Sequence, residues 1–371
     1  MDPQGTITLR DALVRHKPFI PCTARDTKNT KHGAWPTPSI RVWSEFSLQT
    51  LNDSYGHVLD AVLPQHLVDA LISPAMLNGI TVQNDDGPQR LIGWDDATVV
   101  PLVKWAKQYL GLHAGHALYH QFTHADGTVI ARLPHAPRKL NIDHAIHLRN
   151  VEHDALVVGL GRTSRKWKSV SAMRASASRT MEALWPLRQL ANLCRLAETR
   201  YGYIQTDEEL VACCFSATYG DQGTGEKEWT DWTVAIMPVP WNTELSSGGG
   251  PHVLTTELAL WWLCMLALSD GHRELVANEL VVPIDAWETM HSGDERGWIR
   301  RHRYSLFEKL ANVPPPPPSN AYTAPGTVNA AAFTGDAGFD EEEWFSLLDP
   351  ATVGFVNGKD LDLSVLDNTN V

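Results

Sequence analysis

Long apolar runs are missing from this chain. The longest, Leu258 to Leu268, covers 11 residues, short of the roughly 18 to 20 that cross a bilayer, so it reads as a buried core helix. Cysteine is scarce and unpatterned. Cys22, Cys194, Cys213, Cys214 and Cys264 are odd in number and show no C-x-x-C spacing, and reduced, mostly structural thiols are expected. The start, Met1-Asp2-Pro3-Gln4-Gly5, has neither the basic residues nor the apolar stretch of a secretory leader. These absences predict an intracellular protein, cytoplasmic or nuclear, that is not secreted and has no membrane partner. Basic charge is in deficit as well: 31 Lys+Arg face 43 Asp+Glu, a formal charge of -12, which taken uniformly disfavours a polyanionic partner.

What is present supports a folded body. Of 371 residues, 43% are hydrophobic and 20% charged, enough to bury a sizeable core. Prolines 18, 21, 36 and 38 mark residues 1–39 as an irregular arm. A folded domain is expected over 40–313, and the run Pro314 to Pro318 opens a proline-rich, then acidic, disordered tail over 314–371. Helical spacing recurs from Ser44 to Leu71, broken at Pro64, and again from Thr98 to Gln121, with Pro101 in a first turn. Residues 140–148 alternate and 155–160 are continuously apolar, as strands do. A helix follows over Leu187, Leu190, Ala191, Cys194 and Ala197, and then three strands near 200–206, 209–216 and 231–237, the first two joined by a tight turn at Asp207-Glu208. The order predicts a mixed α/β or α+β class.

The charge is unevenly spread. Residues 319–371 hold nine acids and one base, which leaves 34 acids and 30 bases in the rest. From Gly159 to Met181 the chain carries Arg162, Arg165, Lys166, Lys168, Arg174 and Arg179 and no acid, with Trp167 among them. Such a strip suits a phosphate backbone, the indole being available for stacking; a solvated loop-and-helix face is the alternative. His113, His116, His120 and His124 fall on one stripe of a helix, more in keeping with a partly exposed structural row than with a zinc site. Asp143, mid-strand and opposite Leu140, Ile142, Ile146 and Leu148, needs either a hydrogen-bonded neighbour or a metal. The tail segment Phe339-Asp-Glu-Glu-Glu-Trp-Phe-Ser-Leu-Leu-Asp349 mixes acids with bulky apolar residues, as segments that fold onto a protein partner do.

Several of these residues stand in a familiar order. Asp143, then Val157-Val-Gly-Leu-Gly-Arg-Thr-Ser-Arg-Lys-Trp-Lys168, then Gln189 on a helix, then Arg200-Tyr-Gly-Tyr-Ile204 resemble the fungal PD-(D/E)XK nuclease-like proteins. The segments Leu184 to Cys194, Thr206 to Val211 and Leu254 to Leu263 are similar to that family too, and the resemblance covers roughly residues 40 to 310. It implies a restriction-endonuclease-like mixed central sheet flanked by helices, with extra helices. It also implies a site in which two carboxylates hold Mg²⁺ and a lysine positions the attacking water. In this chain Asp143, Arg162 and Gln189 take the catalytic positions, but Leu160 stands where the second carboxylate belongs, Arg162 replaces the lysine, and Leu193 replaces a tyrosine. Arginine keeps its charge yet does not release its proton. Asp143 is then the main Mg²⁺ ligand, with Glu45 an upstream second and Glu152 or Asp154 as substitutes. The expected protein is catalytically impaired and binds DNA or RNA through Arg165, Lys166, Trp167, Lys168, Arg174 and Arg179. Two alternatives stand beside it: a regulatory scaffold that engages a protein partner through residues 339–349, and an active Mg²⁺ nuclease with a displaced carboxylate.

Overall fold

A computed structural model describes residues 6–84, 86–123, 142–149, 154–178, 181–221, 227–242, 253–293 and 295–311. His124, Glu152, Arg179 and the whole of 314–371, including 339–349, lie outside the described residues. The helices are α1 (Leu9–Leu13), α2 (Leu48–Leu59), α3 (Gln65–Asp69), α4 (Gly87–Tyr109), α5 (Ser169–Ser178), α6 (Trp185–Ala197) and α7 (Thr256–Ala267). The strands are β1 (Ser39–Val42), β2 (Leu118–Phe122), β3 (His144–Leu148), β4 (Ala155–Gly161), β5 (Tyr201–Gln205), β6 (Glu209–Asp221), β7 (Lys227–Pro240), β8 (Trp287–His291), β9 (Trp298–His302) and β10 (Glu308–Leu310).

Seven strands form one mixed sheet in the order β1-β7-β6-β5-β4-β3-β2, and β10-β9-β8 form a small second one. Strand β3 runs antiparallel to both β2 and β4. The crossover through α5 and α6 then returns the chain to lay β5 parallel to β4, as a crossover of that length allows. Strands β6 and β7 extend the sheet antiparallel, and β1 closes its edge parallel to β7. The mixed α/β class read from the element order is the class observed.

Helices cover both faces of the large sheet. On one face α7 is apolar all round and buried along its whole length, as a helix without a polar stripe must be; Thr255 caps it by accepting from Leu258 N. With α1, α2 and α4 it shares a core that reaches Tyr201, Tyr203 and Val157. On the other face α6 starts with Pro186 in its first turn and packs Leu187, Leu190, Ala191 and Cys194 against Val158, Leu160 and Ile204. Strand β4 is buried from end to end because both cores press on it.

Two expectations need correction. Helix α4 begins 11 residues before Thr98, holds Pro101 in its interior, and ends at Tyr109, so His113 and His116 lie in turns and His120 on β2; the histidine stripe does not form. Asp143 is not mid-strand. It precedes β3, and the backbone irregularity at 142–143 puts Ile142 in one core while Ile146 and Leu148 enter the other. Within the first 39 residues Leu9, Leu13 and Ile20 are core residues. The small sheet over 287–310 answers to no element read from the sequence.

Candidate functional site

The ends of β4 and β5, the entry to β3 and the middle of α6 meet at one place. Asp143 arrives there because β3 pairs with β4 in a register that sets His144 against Gly159. Its Oδ2 accepts from Gly161 N at 2.8 Å, and its Oδ1 accepts from Gln89 Nε2 of α4 at 3.3 Å. Arg162 follows β4 directly. Its Nη1 stands 3.6 Å from Asp143 Oδ2, and its Nη2 donates to Gln189 Oε1 at 2.5 Å; it also donates to the Gly161 carbonyl. Asp143, Arg162 and Gln189, separated by up to 46 positions in sequence, are therefore brought together. Gln89 belongs to the cluster as well, and no sequence signal pointed to it.

A dication finds little there. Leu160, where the resemblance implies a second carboxylate, is fully buried against α6 in the apolar core. The arginine cancels the charge of Asp143, whose oxygens are already engaged. Among the described residues no group of three or more His, Cys, Asp or Glu side chains is placed to hold a metal ion. Glu45 does not supply the missing ligand. It sits in the turn before α2 and lines a cleft of about 200 Å³ with Arg41, Trp43, Cys214 and Tyr304. Cys214 pairs with Tyr201 at the start of β5, whereas Gly161 pairs with Gln205 at its end. That places Glu45 on the order of 15 Å or more from Asp143 by strand spacing and rise. Asp154 is also remote: it lies before β4, at the other end of that strand, and accepts from Tyr119 Oη at 2.8 Å.

The basic strip is divided. Arg165 and Arg174 are exposed and Lys166 is half-buried. Trp167 is not available for stacking: it is 3% exposed, lies in the α6-side core, and donates Nε1 to Ala183 O at 2.8 Å. Lys168 pairs with Glu208 at 2.6 Å. The turn between β5 and β6 holds the loop by two further carboxylates. Asp207 accepts from Ser164 N and Oγ at 2.8 and 2.5 Å, and Glu209 accepts from Ser169 N and Oγ at 2.8 and 2.7 Å. Burial pushes the Glu209 carboxyl up, and the Ser169 bonds offset part of that rise.

One layer below, on the α4 and α7 side, is a buried polar chain. Tyr203 Oη meets His144 Nδ1 at 2.6 Å, and His144 Nε2 meets Asp96 Oδ1 at 2.6 Å; His120 Nδ1 lies 2.7 Å from the other Asp96 oxygen. Burial acts to raise the Asp96 carboxyl, but the two imidazoles outweigh it and hold it down to about 2. Beside it Asp95 is fully buried, neither of its oxygens has a hydrogen-bond partner among the described residues, and burial raises its carboxyl well above the usual range. Lys17 from the arm pairs with Glu257 of α7 at 3.0 Å, both nearly inaccessible, with its ammonium 3.6 Å from the Trp241 ring centroid. Two adjacent acids within the apolar α4 sequence were the available hint of this cluster.

No protein-family model, no curated protein and no solved structure matches the chain.

Proposed function

We propose that the chain is a PD-(D/E)XK nuclease-like domain that has lost its hydrolytic metal site and contacts nucleic acid through the rim around 162–174. The observation that carries this reading is the seating of the Arg162 guanidinium between Asp143 and Gln189, with Leu160 buried two residues earlier. The β2-β3-β4 meander, the α5–α6 crossover and the parallel β5 support the fold assignment. A working two-carboxylate, one-lysine site carries net negative charge and attracts Mg²⁺, whereas one carboxylate paired with one arginine is neutral. At about 4 Å and an effective dielectric near 20, repulsion between a dication and a guanidinium is on the order of 8 kcal/mol, and it offsets what Asp143 contributes.

The test is incubation of the full chain with duplex DNA and with RNA in Mg²⁺ or Mn²⁺, beside an Asp143→Ala control. The expected result is no cleavage that the control abolishes, together with binding that weakens steeply with salt. Cleavage dependent on Asp143 would restore the active-nuclease alternative. A second reading, a scaffold that engages a protein, is favoured by Glu208, which neutralises Lys168, and by Asp207 and Glu209, which tie the loop down through Ser164 and Ser169. Absence of any salt-sensitive nucleic-acid binding would put that reading ahead.

A further inference from the structure

At the end of β5 remote from Asp143, a row of paired residues crosses four strands: Arg41 on β1, Ala235 on β7, Cys214 on β6 and Tyr201 on β5. Residues paired in this way project from the same face of a sheet, here the α7 side, where Ala235, Cys214 and Tyr201 share one core. Ala235 contributes only a methyl group, so the row dips between Arg41 and Cys214. The cleft of about 200 Å³ that Glu45 lines includes both of these residues. Its walls are Trp43, stacked on Tyr201 with ring centroids 6.4 Å apart, Tyr304, and the apolar segment Val281 to Ile284. Arg41 and Glu45 line one cleft, yet neither takes part in an ion pair among the described residues; the Glu45 carboxylate accepts from its neighbour Ser44 Oγ at 3.4 Å. A third charge stands behind the wall. Arg200 is 2% exposed and pairs with no carboxylate among the described residues: its Nη2 donates to Tyr304 Oη at 3.0 Å, its guanidinium lies 5.3 Å from the Tyr201 ring centroid, and its Nε has no hydrogen-bond partner there.

We infer that this cleft binds a small aliphatic α-amino acid, its carboxylate at Arg41, its ammonium at Glu45 and its side chain against Trp43 and the 281–284 segment. The charges select a zwitterion. A buried guanidinium without a counter-charge is costly, and an anion in the cleft, on the other side of Tyr304 from Arg200, offsets that cost while Arg41 supplies a planar fork for a carboxylate. Glu45 then faces the opposite charge on the same ligand. A few polar groups converging on an apolar wall are what orient a small molecule in a pocket. The space equals on the order of seven water molecules, which suits an amino acid from alanine to leucine and is too small for a nucleotide. The site is independent of the nucleic-acid reading, since Glu45 stands on the order of 15 Å or more from Asp143 by strand spacing and rise.

The experiment is isothermal titration calorimetry of the full chain at pH 7 with L-alanine, L-valine and L-leucine, beside isovalerate, which is valine without its ammonium, and isobutylamine, which is valine without its carboxylate. Saturable binding of at least one amino acid at one site is expected. Arg41→Gln and Glu45→Gln should each weaken it about 10- to 100-fold, the range that one charge-assisted hydrogen bond spans, and each analogue should bind more weakly than valine by a similar factor. Arg41 is exposed and Glu45 half-buried, so both variants should fold, which circular dichroism checks. If none of the three amino acids binds, or if both substitutions leave the affinity unchanged, the cleft is not an amino-acid site. Isovalerate binding as tightly as valine, with Glu45→Gln without effect, would make it a site for simple anions and would overturn the inference as well.

Discussion

Gly159 has an ordinary backbone, so replacing it tests space alone. A Cβ built there would lie 2.4 Å from Tyr203 Cζ and 2.7 Å from Tyr203 Oη. The reason is the register: His144, Gly159 and Tyr203 stand side by side on β3, β4 and β5, and the Tyr203 ring lies across β4 to reach His144. The ring cannot step aside without giving up its 2.6 Å bond to His144 inside a fully buried cluster. Overpacking of this kind costs about 1 to 3 kcal/mol, and a buried polar pair left unmade costs about 1 to 3 more. Reduced freedom of the unfolded chain returns about 0.4 to 1. Gly159→Ala is therefore expected to destabilise by about 3 kcal/mol, which lowers Tm by roughly 6 to 12 °C for a domain of this size. Chemical denaturation with the double-mutant cycle Gly159→Ala/Tyr203→Leu provides the assay. In the Tyr203→Leu background the added methyl should cost less than about 1 kcal/mol, because the clashing ring is gone. A Gly159→Ala protein as stable as its parent, or an equal cost in both backgrounds, would refute the reasoning.

Three other outcomes follow from the same geometry. Trp167→Ala should lower stability by about 3 to 5 kcal/mol through loss of core volume and of the Ala183 bond, whereas Trp167→Phe should leave duplex binding unchanged; weaker binding by the folded Phe variant would mean the indole reaches the ligand. Lys17→Met leaves Glu257 buried without its cation and should cost about 3 to 5 kcal/mol, with part of that recovered in Lys17→Met/Glu257→Gln; additive losses in denaturant melts would contradict a paired cluster. Asp95→Asn should raise Tm at pH 8. Burial raises the folded carboxyl, so folding takes up a proton above the unfolded value of about 3.9, and that cost grows with pH. The gain should disappear near pH 4, and a gain independent of pH would show that Asp95 does not titrate on unfolding.

The parts legible in the sequence were those fixed by local pattern. Helix α7 shows as an apolar block, α6 as an i, i+3, i+4, i+7 row behind Pro186, and the β5–β6 turn as Asp207-Glu208 between two apolar strands. Asp143, Arg162 and Gln189 were legible as a set through the family resemblance, and they do converge in space. The remainder depended on contacts between distant segments. Nothing adjacent to Trp167 announces that Ala183 will receive its N–H, and a tryptophan among lysines reads as a surface residue. The four histidines fit a helical stripe in sequence, but Gly111 and Gly115 take positive φ and end the helix before them. The strands β8 to β10 are three to five residues long and heavily charged, too short to show a period. Gly159 reads in the sequence as one more residue of an apolar strand, whereas in the fold its bareness makes room for Tyr203.

Whether the cluster around Asp143 is an ion pair rather than a metal site is the central claim, and Mn²⁺ binding measures it directly. Titration of the full chain and of Asp143→Ala with Mn²⁺, followed by electron paramagnetic resonance of the free ion, should give the same isotherm for both proteins. A saturable Mn²⁺ site present in the parent chain and absent from Asp143→Ala would show that Arg162 yields its place to a metal, and the account of a silent site would be wrong.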